Sequence, residues 1–118
     1  MNELKRCKPW IEAALEYSGG THFFEDVVDG LAKGTLQLWP AKRACIVTEI
    51  VVYPRKRVVN VFLGGGELEQ IMDMHADVIE WAKSQNCTAL TMSGRFGWQK
   101  PLKAHGWTRQ HASYKKEF

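Results

Sequence analysis

No apolar run in the chain approaches the ~20 residues that a membrane-spanning helix needs. The opening stretch MNELKRCKPW carries no signal-peptide core. A cytoplasmic protein without membrane association is the expectation. Cysteine is scarce: Cys7, Cys45 and Cys87 are odd in number, far apart and without a CxxC pair, the pattern of neither a disulfide framework nor a zinc site. Cys45 lies in an apolar run and reads as a small buried hydrophobe. Charge of one sign is also in short supply, with 16 Lys and Arg against 13 Asp and Glu. A net charge of +3 is too small to imply nucleic-acid binding, and the basic stretch Pro54-Arg55-Lys56-Arg57 reads as a solvated hairpin turn. Nucleic acid is therefore not expected as a partner. No histidine pair stands with acidic residues at ligand spacing, so no metal is expected. Repeats and linkers are absent too.

What remains is one domain's length, 118 residues, of which 45% are apolar. Five tryptophans are many for this size and should line the core or a groove. Pro9–Tyr17 has Trp10, Ala13, Ala14 and Tyr17 at helical spacing. Thr21 is placed to cap a second helix over His22–Lys33, with Phe23, Val27, Val28 and Leu31 as its stripe. Thr35–Trp39 alternates like a strand. Ala44–Tyr53 (ACIVTEIVVY) is the strongest strand and forms an antiparallel hairpin with Arg57–Leu63. Glu67–Gln85 is the strongest amphipathic helix. A short strand Thr88–Met92, a helix Phe96–His105 and a last strand Trp107–Tyr114 complete the order ααβββαβαβ. That order belongs to an α+β or mixed α/β fold, a mostly antiparallel sheet flanked by helices.

Between the hairpin and the main helix stand Gly64, Gly65 and Gly66. Such a turn at a helix N-terminus can cradle an anion, because glycine lets backbone amides approach it. It can equally be a tight turn, since Glu67 and Glu69 already neutralise the helix end. Further on, Ser93-Gly94-Arg95-Phe96-Gly97-Trp98 follows a short strand, and a helix closes on Gly106-Trp107. The order of elements, the glycine turn and this closing Gly-aromatic step resemble the GCN5-related N-acetyltransferase (GNAT) superfamily, most of all its short, divergent phage-type members.

The resemblance implies one GNAT-like domain over residues 1–118, splayed open between the strand ending at Leu63 and the strand Thr88–Met92. Acetyl-CoA or another acyl-CoA would lie in that cleft, touching Leu63, Gly64, Gly65, Gly66, Glu67 and Leu68. Two departures stand out: the family's Arg or Gln before the glycines is missing, and Leu102 occupies the place of its frequent general-acid tyrosine. Glu49, a carboxylate facing the same way as Cys45 and Val47, is the candidate base for an amine acceptor. The alternative for it is an exposed or paired glutamate. Arg95, at a strand end, could hold a phosphate or carboxylate, or be an ordinary surface arginine. Trp98 and Trp107 are candidate cleft walls. His75, in the main helix's apolar stripe, reads as a hydrogen-bonded core residue or as a base.

Two functions follow. One is an acyl-CoA-dependent N-acyltransferase acting on a small-molecule or protein amine. The other is a catalytically degenerate GNAT-like module that binds a protein, in a phage particle for instance, or forms a homodimer.

Overall fold

The computed structural model describes residues 2–18, 20–93, 99–111 and 114–118. Helix α1 spans Asn2–Leu15 and begins well before the expected Pro9, which lies inside it. The cause is a buried stripe of Cys7, Ile11, Ala14 and Leu15, extended by half-buried Leu4, which outweighs the hydrogen bond that Pro9 cannot donate. Helix α2 spans Phe24–Lys33. Its N-cap is Phe23, whose amide donates to Asp26 Oδ2 at 2.8 Å. The Thr21 hydroxyl, expected as the cap, is engaged with His22 Nδ1 at 2.7 Å.

Strands β1 (Leu36–Pro40), β2 (Ala44–Val52) and β3 (Arg57–Gly66) form an antiparallel meander, and β4 (Leu90–Met92) adds to β3 in parallel. The β2–β3 turn is closed by Tyr53 N–H donating to Lys56 O at 2.8 Å, and Arg55 and Lys56 at its tip are exposed, as a solvated turn requires. The main helix arrives as two pieces, α3 (Leu68–Asp73) and α4 (His75–Ser84), joined at Met74. Helix α5 is Gln99–Ala104, and residues 107–111 and 114–118 form no strand, so the expected last strand is not among the described residues.

The sheet has helices on both faces. Cys45, Val47 and Leu63 pack with α1 and α2, whereas Ala44, Ile46, Val59 and Val61 pack with α3 and α4. Val47, Val58 and Val59 are fully buried, each stabilising the fold by about 1.5–3 kcal/mol. One irregularity breaks the alternation. Thr48 pairs with Val61 and Val47 with Leu63, which leaves Phe62 as an extra residue, a β-bulge. Phe62 and Leu63 consequently both pack toward α1 and α2.

Candidate functional site

The sheet opens where β3 and β4 part. They pair at Val59↔Leu90, Asn60↔Thr91 and Val61↔Met92, and β4 ends there while β3 runs on to Gly66. The bulge at Phe62 falls on the first residue past the last pair. Beyond it, one edge of β3 faces β2 and the other meets no described strand. Such an edge offers backbone N–H and C=O groups to a ligand.

The glycines belong to this strand and are not a turn. Ala44 pairs with Gly66, Cys45 with Gly65 and Ile46 with Gly64. A Cβ on Gly65 would lie 2.8 Å from the carbonyl oxygen of Trp10 and 2.9 Å from its Cβ, so α1 rests on bare backbone there. Gly66 has φ +96°, and a Cβ on it would lie 2.3 Å from Arg43 O and 2.5 Å from Ala44 Cα. The close approach that these two glycines permit is that of the chain itself. Glu67 N–H donates to Arg43 O at 2.9 Å, and its carboxylate pairs with Arg43 Nε at 2.7 Å. Arg43 N–H in turn donates to Gln70 Oε1 at 2.6 Å. The amide of Glu67, at a position expected to touch the acyl-CoA, is thus spent inside the fold. The Leu63 side chain is buried and that of Leu68 packs against the α3 and α4 core, so either could meet a ligand mainly through its backbone.

Glu49 lies on the α1/α2 side, half-buried, in the phase set by Cys45 and Val47. Its Oε2 accepts from Asn60 Nδ2 at 2.8 Å, and Asn60 Oδ1 accepts from Thr91 Oγ1 at 2.9 Å. This polar row crosses three strands one position short of the parting. An amide partner fixes the carboxylate's orientation without neutralising it, as a lysine or arginine would. Beside the row, the His22 ring meets Phe62 edgewise at 4.7 Å. Asn60 and Thr91 were missed in the sequence, because neither the hairpin register nor the parallel pairing can be read from spacing alone.

On the other face, a cavity of about 20 Å³ lies between the sheet and the main helix. Val61 and Met92, the last pair before the parting, both line it, with Ile46, Ile71, Met72, His75 and Trp107. His75 sits 5.7 Å from Trp107 and 6.4 Å from His105, ring centre to ring centre. Burial, and then the neighbouring His105, hold its pKa below the usual histidine value. The indole Nε1–H of Trp107 is buried with no described acceptor. Among the described residues, no group of three or more His, Cys, Asp or Glu could hold a metal ion. Arg95 and Trp98 lie outside the described residues.

No protein-family model matches the sequence, and no curated protein matches it either. Solved structures do match in shape. A probable acetyltransferase aligns with a TM-score of 0.69 at 14% identity, covering 100% of this chain and 93% of its own. A "predicted acetyltransferase" from Clostridium acetobutylicum, solved with acetyl-CoA, aligns at 0.64 and 13% identity over 80% of this chain and 71% of its own. Glucosamine-6-phosphate N-acetyltransferase from Arabidopsis thaliana aligns at 0.59 and 9% identity, covering 80% and 76%. At such identities the likeness speaks for architecture. The chain has the mixed α/β fold of these acetyltransferases, the fold that its resemblance to the GCN5-related superfamily implied.

Proposed function

We propose that the protein is an acyl-CoA-dependent N-acyltransferase that takes its donor into the gap where β3 leaves β4. One observation carries this reading: the strands part immediately before a bulge, in a fold shared with a protein solved with acetyl-CoA. The open edge of β3 supplies backbone N–H groups that can pair with the amide-bearing arm of the donor and polarise its thioester carbonyl. An acceptor amine attacks that carbon, the C–N bond forms, and the C–S bond breaks with its electrons leaving on sulfur. Glu49, oriented by Asn60, attracts the ammonium form and takes the proton that the amine loses. The donor's diphosphate relies on a cation and not on glycine amides, and Arg95 is the residue we assign to it, with Trp98 as a wall.

Calorimetric titration with acetyl-CoA tests this, paired with amide exchange measured by NMR. Saturable heat together with slowed exchange at residues 62–64 is the expected result. Heat without protection at the β3 edge would move the donor elsewhere.

A second reading is a degenerate module that keeps the fold as a protein-binding unit, phage-associated or not. It is favoured by the Glu67 amide being already bonded and by Leu102 standing where a proton donor would be. No heat from acetyl-CoA would select it.

A further inference from the structure

Glu49 is tied to the parting of the sheet through two other side chains, one on each of the next two strands. An ionised carboxylate only accepts hydrogen bonds, so Asn60 turns its NH2 toward Glu49 and its Oδ1 away. That oxygen faces β4, where the hydroxyl of Thr91 donates to it at 2.9 Å. Glu49, Asn60 and Thr91 are all half-buried, and a polar group that loses its partner there costs more than it would in open water. Thr91 therefore braces the amide, and the amide aims the carboxylate.

The brace stands on the shortest strand of the sheet. β4 has three residues, pairs with β3 alone among the described strands, and ends one residue beyond Thr91. The last pairs of a ladder open most easily, because nothing continues them. A ligand lying along β3 past Val61 would continue the β3–β4 ladder end to end and hold its last pairs closed. We infer that Thr91 is a positioning residue through which the gap controls the base: a donor on the open edge of β3 steadies β4, and Thr91 and Asn60 pass that order to Glu49. The inference rests on the acyltransferase reading above and adds to it a coupling, so that the carboxylate is best aimed once the donor is in place.

The side-chain NH2 protons of Asn60 report on this row without any acceptor amine, because their exchange with water requires the bond to Glu49 to open. In 15N-labelled protein, saturating acetyl-CoA should slow that exchange about two- to fivefold. Thr91→Val keeps the branched shape that strands favour and removes the hydroxyl. It should speed the exchange about fivefold and abolish the response to acetyl-CoA, while the calorimetric heat persists. Thr91→Ser, which returns the hydroxyl, should restore both the slow exchange and the response. Exchange that slows with acetyl-CoA in Thr91→Val as it does in the parent would overturn the inference, since the row would then respond without its brace. Should Thr91→Val not fold, the parent decides alone: acetyl-CoA heat with unchanged Asn60 exchange overturns the inference. Either result leaves the acyltransferase reading standing. Absence of heat from acetyl-CoA would remove both.

Discussion

Three glycine-to-alanine substitutions separate two costs that the structure assigns to different positions. Gly34 closes α2 at φ +80° with open space around its missing Cβ, so Gly34→Ala should cost only the left-handed backbone, about 1–2 kcal/mol. Gly65 has no positive φ, but its added methyl would press on the backbone and Cβ of Trp10 at 2.8–2.9 Å. Neither atom can swing aside as a side-chain tip could, so α1 must lift, and about 1–3 kcal/mol is expected. Gly66 carries both penalties, φ +96° and a contact of 2.3 Å with Arg43 O. Gly66→Ala should therefore cost about 2–5 kcal/mol, the sum of strain and overpacking. Against the roughly 5–15 kcal/mol that holds most domains together, that is a large share of the whole. Urea unfolding followed by circular dichroism gives the order 66, then 65, then 34. The reasoning fails if Gly65→Ala is within about 0.5 kcal/mol of the parent yet no longer binds acetyl-CoA. The glycine would then be reserved for a ligand and not for α1.

Further outcomes follow from the core and the titrating groups. Thr48 is fully buried, accepts from Trp39 Nε1 at 3.0 Å and donates to Gln37 Oε1 at 2.8 Å, so Thr48→Val should cost about 1–3 kcal/mol in the same urea assay. A loss under 0.5 kcal/mol would mean that Trp39 finds another acceptor. Burial, and then the adjacent Cys7 thiol, push the Cys45 thiol from 9.0 up to about 12. Because the folded state holds this proton more tightly, its stability should fall as pH rises from about 9 toward 12, and a disulfide reagent at pH 8 should label Cys45 only in denaturant. His75 behaves in the opposite sense. Its folded pKa lies below 6.5, so stability is present above that pH and declines as acid protonates the unfolded imidazole, a decline that His75→Gln should reduce.

Much of this architecture is legible in local sequence. The β-branched run Ala44–Val52 had to be a strand, and the stripe of Ile71, Val78 and Ala82 had to be a helix face. What escaped depends on contacts between distant residues. Gly64–Gly66 look like a turn because glycine weakens strands, yet they pair fully with Ala44–Ile46 because α1 needs a side-chain-free surface at Trp10. Pro9 looks like a helix start because nothing local shows that Leu4 and Cys7 will find the same core as Ile11. For the site, the orientation of Glu49 followed from alternation. Its partners Asn60 and Thr91 did not, since they become neighbours only through the pairing of three strands.

Phe62 has one more consequence. Up to Val61 the strand keeps one phase, and after the bulge it keeps the other, so the residue works as a frameshift written in side chains. Deleting it would restore a regular ladder in which Leu63 still pairs with Val47 and Gly65 with Cys45, so both would keep their places under α1. Keeping Phe62 in a strand without the bulge would instead turn Leu63 through half a revolution, out of the α1 core and toward α3, and carry Gly65 away from Trp10. The bulge, and not the length of the strand, is what keeps the two faces in agreement.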